Sequence, residues 1–327
     1  MAIVDNVRLL VKVSQLYYQE NMSQKEISAL LDISRPQICR ILSSAKESGI
    51  VSIQIKNPYG DELAVERELV NTFGLKDAFV TDVSGCLGEE TKEVFALRCS
   101  EQLEQFLPES GVVGVMSGQT LAAVASAVTQ LNRSNLEFVP LVGGLCPQGN
   151  DISANVVARM LAQKANACYS VLNAPILMSS DRARNMLVEE PAISAVLDKW
   201  ERCQVALVGI GQVSTKATSY QFGAFSDQDL EELRKTGAVA SLAVSYLNAD
   251  GEIIDSSITR RSIGWTLKKR RRCKVIAFAY GQSKLDSVLA ALKGNYVDVL
   301  MTTAEFARQL LTEAKVQGYS GAEALQQ

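Results

Sequence analysis

The sequence predicts two domains: an N-terminal all-α, winged helix-turn-helix domain and a C-terminal α/β domain with a Rossmann-like parallel sheet. Three amphipathic helical segments fill residues 5–48, and from residue 78 onwards apolar strands alternate with helical segments. The net charge also differs between the N-terminal part and the rest of the chain. Residues 1–60 hold seven Lys or Arg against five Asp or Glu, a net +2, whereas the whole chain carries −3. A basic head on an acidic body is typical of a DNA-binding module joined to a part that does not touch DNA.

The composition limits the chemistry open to this chain of 327 residues. It contains no histidine, which excludes Ser-His-Asp and Cys-His nucleophiles and metal sites that need imidazole, so we expect no metal and no cofactor. The seven cysteines form no CxxC pair, which favours free thiols serving as small core residues. No apolar run reaches the roughly 18 to 20 residues of a membrane helix, and the start lacks a signal-peptide layout, so we expect a cytoplasmic protein with no membrane partner.

Residues 34–48 are the predicted recognition helix. An apolar stripe spaced i, i+3, i+4 and i+7 is formed by Ile38, Ile41, Leu42 and Ala45. Ser34 and Gln37 have the spacing of a capping box, Pro36 is tolerated in the first turn, and Gly49 ends the helix. The polar residues of the other faces include the types that bond base edges and phosphates.

Two helices precede the recognition helix, at residues 5–19 and 24–31. The first repeats its apolar positions at Val7, Leu10, Val11, Val13 or Ser14, and Tyr17, and the second opens on a capping box from Ser23 to Glu26. Two short helices joined by a three-residue turn have helix-turn-helix geometry, in which the second enters the major groove N-terminus first. An ordinary helical hairpin is the alternative. The residues expected to contact double-stranded operator DNA are Ser34, Arg35, Gln37, Arg40, Ser43 and Ser44.

The connection between the domains is predicted from residues 50–75. Residues 50–55 alternate β-branched and polar side chains like a wing strand, and residues 58–60 break the chain. The helix that follows could carry a dimer contact or pack on its own domain. The predicted divisions are the DNA-binding domain at 1–57, a linker helix at 58–75, the effector domain at 76–318 and a flexible tail at 319–327.

Two strand-turn-helix segments of the C-terminal part are candidate anion sites. The strand 112–116 runs into Ser117–Gly118–Gln119–Thr120 and a helix, and the strand 275–279 leads through Gly281 to Lys284 and another helix. Phosphate is the expected ligand, because unpaired N–H groups and the positive end of the helix dipole converge at such turns. Two further strands also end in glycines. The turn at 209–211 lacks the third glycine of a dinucleotide fingerprint, which disfavours nucleotide binding there.

The basic run at residues 268–272 has two interpretations. It is either a solvated turn before a buried strand or a contact with another subunit or with the DNA backbone.

Over essentially its whole length, the chain resembles the SorC family of bacterial sugar-responsive transcription regulators. The resemblance rests on SQKEISALLDISRPQICRILSSAKESGIV at 23–51, GVMSGQT at 114–120, LVGG at 141–144, VALVGIG at 205–211, GAV at 237–239, and residues 279–292 and 300–311. It implies an effector domain with the fold of sugar-phosphate isomerases and CoA transferases, and self-association as a dimer or tetramer, a homotetramer in the family. It also implies that Gly118 with Thr120 holds a phosphate and that Lys284 pairs with one.

The sequence departs from the family pattern at positions that bear on the ligand. Family members often have a carboxylate where Ser241 stands, glutamine where Ser153 stands and threonine where Gln119 stands. Without the carboxylate, sugar hydroxyls lose an acceptor, and each buried unpaired hydroxyl costs about 1 to 3 kcal/mol. A different ligand or pose is implied, with a phosphorylated sugar or sugar alcohol as first choice. The residues expected at the effector site are Ser117, Gly118, Gln119, Thr120, Gly143, Gly144, Ser153, Ser241, Gly281 and Lys284.

Three functions are compatible with these features. We favour a DNA-binding regulator of a carbohydrate-catabolic operon whose operator affinity is controlled by the phosphorylated ligand, with no catalytic residues. The alternative is a sugar-phosphate isomerase or transferase with an accessory DNA-binding module, which would need a positioned general base at a site where Ser241 stands instead. A third is a constitutive DNA-binding protein whose C-terminal domain is an oligomerisation scaffold.

Overall fold

The computed structural model describes residues 6–52, 60–144, 152–268 and 272–319. The chain divides into two compact units, Met1–Pro58 and Tyr59–Gln327. Within the described ranges, no helix combines the length and the apolar content needed to cross a membrane.

The first unit contains α1 (Val7–Tyr18), α2 (Gln24–Leu31) and α3 (Arg35–Glu47). The predicted apolar stripe of α3 is confirmed, since all four of its residues are buried. On α1, the predicted Leu10 and both Val13 and Ser14 are buried, together with Leu16. Val7 and Val11, expected on the apolar face, are 61% and 39% exposed. The contact of α1 with α3 sets which side of the helix faces inward, and α1 alone carries too many apolar residues to specify it.

Local hydrogen bonds fix the turn between α2 and α3. The predicted capping box of α2 is confirmed, because Glu26 accepts from the Ser23 N–H at 2.8 Å and Ser23 Oγ accepts from the Glu26 N–H at 3.3 Å. At the start of α3, Gln37 Oε1 accepts from both the N–H and the hydroxyl of Ser34, at 3.2 and 2.8 Å. Asp32 ends α2 in the left-handed conformation, with φ at 53°. These local hydrogen bonds act together with Ile33, which packs against the core of the first unit.

Several predicted segments fall wholly or partly outside the described residues. These are residues 53–55 of the predicted wing, residues 269–271 of the basic run, and the predicted tail beyond Tyr319. Of the wing, Ile50 and Val51 pack against the core of the first unit. Tyr319 stacks on Phe73 with a ring-centroid distance of 5.5 Å, so the first residue of the predicted tail is packed.

The second unit alternates strands and helices along most of its length. Its strands are β1 (Asp77–Thr81), β2 (Ser110–Val115), β3 (Asn135–Pro140), β4 (Cys168–Tyr169), β5 (Cys203–Gly209), β6 (Gly211–Gln212), β7 (Ala240–Leu242), β8 (Ser245–Leu247), β9 (Ile253–Ile254), β10 (Lys274–Phe278) and β11 (Val299–Thr303). Its helices are α4 (Gly60–Phe73), α5 (Glu89–Phe106), α6 (Gln119–Ala127), α7 (Ala154–Ala165), α8 (Asp181–Val188), α9 (Pro191–Trp200), α10 (Thr218–Gln221), α11 (Asp227–Lys235), α12 (Ser257–Arg261), α13 (Leu285–Lys293) and α14 (Ala304–Val316).

Seven strands form one sheet in the order β1-β11-β10-β5-β2-β3-β4, and every neighbouring pair is parallel. The predicted α/β domain with a parallel sheet is thereby confirmed. From the centre, β2 leads outward through β3 to β4, whereas β5 leads the other way to β10 and β11. The strand order therefore reverses between β2 and β5. In open parallel sheets, ligands bind outside the carboxyl ends of the strands at such a reversal.

A second, antiparallel sheet joins β6, β7, β8 and β9. Together with α11 and α12 it forms what we call the small subdomain. It has its own hydrophobic cluster, which includes Leu233, Tyr246 and Ile258. Arg261 binds Asp229 at 2.7 Å in a largely buried ion pair that ties α12 to α11.

Helix α4 packs on its own unit, against β1 and α14. Val65, Leu69 and Phe73 form its buried face, and the Glu66 carboxylate accepts from the Val80 N–H at 2.8 Å. The packing of this helix on its own domain, one of the two roles open from the sequence, is therefore observed, and a dimer contact by its exposed face stays a prediction.

The six described cysteines are not joined by disulfide bonds. The prediction that cysteines serve as small core residues is correct for Cys99, Cys203 and Cys273, which are buried, but Cys39 and Cys168 are exposed.

Candidate functional site

A cavity of about 400 Å³ opens at the carboxyl ends of β2, β5 and β10. One part of its wall consists of the turns that follow these strands, and another part consists of the small subdomain and the segment 216–225. The described lining residues include two lysines, Lys216 and Lys284, and no Asp, Glu or Arg. A site with this balance favours an anionic ligand.

The structure brings most of the predicted effector residues to this cavity. Those that line it are Ser117, Gly118, Gln119, Thr120, Ser241, Gly281 and Lys284.

The first turn of the cavity, at 117–120, lies at the N-terminus of α6. Gly118 has φ at 142° and ψ at 153°, a conformation that is essentially restricted to glycine. Its N–H donates to Ile152 O at 3.0 Å and is not available to a ligand. The N–H groups of Gln119 and Thr120 open the helix without an acceptor inside it. These two N–H groups and the Thr120 hydroxyl are therefore the donors that this turn can offer to an anion.

The last turn of the cavity carries Lys284. A 3₁₀ turn, Gln282–Lys284, precedes α13, and the Lys284 N–H donates to Gly281 O at 2.9 Å. The Lys284 ammonium makes no ion pair with any described residue. Burial lowers the pKa of Lys284, because desolvation disfavours its charged form. A bound anion would supply the partner that the protein does not.

Ser241 lies on the wall formed by the small subdomain. It pairs with Gly211 of β6 on one side and with Tyr246 of β8 on the other. A Cβ atom at Gly211 would overlap the Ser241 hydroxyl. The glycine of this turn thus permits close approach of two strands, which differs from the phosphate-binding role of a dinucleotide fingerprint.

Three residues expected at the effector site do not line the cavity. Gly143 and Gly144 donate their N–H groups to Ile263 O and Ala174 O, at 3.0 and 2.8 Å. A side chain at Gly143 would overlap the backbone of Pro175, so this glycine pair allows two backbone segments to pack closely. Ser153 caps α7, where its hydroxyl accepts from the Val156 N–H at 3.3 Å. Their sequence patterns therefore correspond to packing and capping in the structure.

Three lining residues from the small subdomain and the segment 216–225 were not predicted from the sequence. Gln212, Lys216 and Tyr246 line the cavity, yet they lie in short antiparallel strands and a connecting segment. Their only sequence signal is that Gln212 and Lys216 follow a buried strand, as the predicted residues do. Tyr246 reaches the cavity through strand pairing with Ser241, which no local pattern could have indicated.

The polar face of α3 stays open to solvent. Arg35 and Arg40 are exposed and make no ion pair with a described residue, and Ser43 is also exposed. Gln37 uses its carbonyl oxygen to cap the helix but keeps both amide hydrogens. These groups could reach phosphates and base edges if α3 enters a major groove.

Comparison with known proteins gives a consistent result. Residues 57–312 match the family model described as "Putative sugar-binding domain". The sorbitol operon regulator of Klebsiella pneumoniae is 27% identical, over 94% of this chain and 98% of that protein. The deoxyribonucleoside regulator of Bacillus subtilis is 28% identical, again over 94% of this chain and 98% of the relative.

Solved structures show the same similarity. The full-length sorbitol operon regulator SorC from Klebsiella pneumoniae superposes with a TM-score of 0.71 at 26% identity, covering 94% of this chain and 99% of that one. A transcriptional-repressor domain from Vibrio fischeri, described as a "Putative Sugar-Binding Domain", gives a TM-score of 0.69 at 28% identity, covering 77% of this chain and 99% of the other.

Proposed function

The chain belongs to the SorC family of sugar-binding transcription regulators, and from this premise we propose that a small phosphorylated ligand in the cavity controls its affinity for operator DNA. The coarser function follows from the family: the chain is a transcriptional regulator of a sugar-related operon with a sugar-binding domain. The proposal adds the chemistry of the ligand and the residues that bind it.

The relatives and structures compared are named as regulators or regulator domains, and the chain is a regulator rather than an enzyme. The enzyme alternative required a positioned general base in the cavity. No carboxylate is among the described residues that line it, and the hydroxyl of Ser241 is a poor base.

The DNA-binding role is assigned to α2 and α3 as a helix-turn-helix. Its support is the three-residue turn fixed by local hydrogen bonds and the polar outer face of α3 with two unpaired arginines. Helix-turn-helix proteins commonly read two half-sites as dimers, so we include self-association as a dimer or tetramer. Sedimentation of the purified protein tests this part, and a single monomeric species at micromolar concentration would contradict it.

Lys284 carries the phosphate proposal. Its ammonium lies in the cavity without a partner carboxylate, at the same end of the sheet as the free N–H groups of Gln119 and Thr120. A lysine point charge together with a helix N-terminus is a common way to bind phosphate.

Thermal-shift measurements with a panel of sugar phosphates and sugar-alcohol phosphates test the proposal, because a ligand that binds the native state raises the melting temperature. We expect at least one member to stabilise the protein and to change its operator affinity in a gel shift. Lys284→Met should remove both effects while leaving operator binding by the free protein intact. Lys235→Met is the matched control, since Lys235 is exposed on α11. A normal ligand response in Lys284→Met would place the phosphate elsewhere.

A further inference from the structure

The Tyr246 side chain is buried, but its hydroxyl opens on the cavity and has no partner among the described residues. The residue is only 3% exposed, it lines the cavity, and its hydroxyl makes no hydrogen bond with any residue that the structure describes. Burial, and secondarily the negative charge of Asp229, raises the pKa of Tyr246, so the phenol keeps its proton and remains a donor. A donor that the protein leaves unpaired at the cavity wall is available to an acceptor atom on the ligand.

The groups beside Tyr246 can also donate hydrogen bonds, and none of them is negatively charged. Its strand partner Ser241 presents a hydroxyl, and Gln212 presents an amide on the neighbouring strand. The carboxylate associated with Tyr246, that of Asp229, is already bound to Arg261 at 2.7 Å and to the Ser226 N–H at 2.9 Å. The hydroxyl protons of a polyol would find only neutral acceptors here, because the described part of this wall has no carboxylate.

Charge leads to the same conclusion. A phosphate monoester carries about −1.5 to −2 at pH 7. Lys284 with the N-terminal dipole of α6, equivalent to about half a charge, nearly balances it. Lys216 then remains as a second cation of the cavity, on the segment attached to the small subdomain, and it makes no ion pair with a described residue. The positive charge of Lys216 is therefore left for a second negative group on the ligand.

We propose that Tyr246, Ser241 and Lys216 bind a carboxylate of the ligand, so that the effector is a phosphorylated sugar acid rather than a sugar-alcohol phosphate. This inference rests on the proposed phosphate site at Lys284. It assigns specificity to the small subdomain and phosphate binding to the turns of the parallel sheet. It also gives a reason for serine at position 241, because a carboxylate there would repel a ligand carboxylate.

Matched ligand pairs test the inference by isothermal titration calorimetry on the full chain. 6-Phosphogluconate and sorbitol 6-phosphate share the phosphate and the carbon chain and differ in a carboxylate against an alcohol. The corresponding acid and alcohol phosphates with five and four carbons extend the comparison. For the pair of the fitting length, we expect the acid to bind about ten to a hundred times more tightly, the range for a hydrogen bond to a charged group.

Variants then assign the preference to this wall. Tyr246→Phe and Lys216→Met should each reduce acid binding about tenfold, a typical loss for one charge-assisted hydrogen bond, and leave alcohol binding nearly unchanged. Tyr169→Phe and Lys235→Met are the matched controls, since Tyr169 and Lys235 lie outside the cavity lining. Tyr246→Phe should not lower the melting temperature of the free protein, because it removes a hydroxyl that has no partner.

Failure of the inference and failure of the proposed function give different results. If alcohols bind as tightly as acids, or if Tyr246→Phe and Lys216→Met leave the preference intact, the carboxylate site is wrong while the phosphate site stands. If no member of any pair binds, or if Lys284→Met binds them normally, the phosphate site is wrong and this inference falls with it.

Discussion

Lys284 shows how a single residue can reveal a site. An ammonium group removed from water without a partner is unfavourable, which is why burial lowers its pKa. The unfolded chain then binds the proton more strongly, so the free energy of unfolding of the ligand-free protein rises with pH between the folded and unfolded pKa values of this lysine. Stability is thus lowest where the lysine is charged. A phosphate ligand would reverse this penalty.

The pH dependence of ligand binding follows from the direction of that pKa shift. Phosphate binds the charged lysine, so ligand affinity should fall as the pH rises through the pKa of Lys284. Because that pKa is lowered, the fall should start below about pH 10.4, where an ordinary lysine titrates. On the acid side, affinity should fall as the phosphate takes up its second proton near pH 6. Calorimetry from about pH 5.5 to 10 measures both limbs. Lys284→Arg is the control, since a guanidinium stays charged and should remove the alkaline decline. An alkaline limb that persists in this variant would assign it to another group.

At the DNA-binding face, substitutions of Arg40 and Gln37 should weaken operator binding, whereas substitutions of exposed residues outside α3 should not. Arg40→Ala should weaken operator binding and relax base preference, at about 1 to 3 kcal/mol per lost bidentate contact. Gln37→Glu keeps the oxygen that caps α3 at Ser34 but loses the amide donors, so it should affect DNA binding without unfolding the helix. Quantitative gel shifts measure both, and Arg308→Ala, exposed on α14, should leave affinity unchanged. Normal operator affinity in both α3 variants would show that a different face meets the DNA.

At the scale of elements, the helices and turns that could be predicted are those whose sequence patterns are local. The apolar stripe of α3, the capping box of α2 and the strand-turn-helix segments around Ser117 and Lys284 follow from spacing along the chain. Parallel strands place the turns after β2, β5 and β10 at one edge, so part of the cavity could be inferred without coordinates.

The remaining features depend on contacts between distant segments. Gly143 resembles a ligand turn in sequence, but the approach of Pro175 explains why it must be glycine. Tyr246 lies opposite Ser241 through an antiparallel register that has no local signature in these short strands. The exposure of Val7 likewise follows from how α1 meets α3. Each case depends on a partner that spacing along the chain does not specify.

The turn at the start of α6 gives a prediction that belongs to this element. Gly118→Ala should lower the free energy of unfolding by about 1 to 3 kcal/mol, because its backbone conformation is restricted to glycine. No atom lies within 4 Å of the added methyl group, so the effect would come from the backbone alone. Gly209→Ala is the matched control, since that glycine also lines the cavity, has open space and lies outside the left-handed region. Denaturant titration compares the two, and equal losses would contradict the assignment to backbone strain.

At the scale of the whole molecule, the two proposed sites lie on units with separate hydrophobic cores. Regulation therefore requires a coupling free energy between binding at α3 and binding in the cavity. The ligand must prefer either the DNA-bound or the DNA-free protein, since equal affinity for both would shift no population. A tenfold change in operator affinity corresponds to about 1.4 kcal/mol.

Thermodynamic linkage makes this coupling testable from either site. If the ligand changes operator affinity by some factor, operator DNA must change ligand affinity by the same factor. Calorimetric titration of the ligand with and without saturating operator should therefore give a ratio of dissociation constants equal to the ratio from gel shifts with and without ligand. Arg40→Ala provides the control, because in the absence of operator it should bind the ligand normally. Unequal ratios would mean that ligand and DNA binding are linked through a further equilibrium, such as a change in subunit association, and ligand titrations repeated over a range of protein concentrations would detect it.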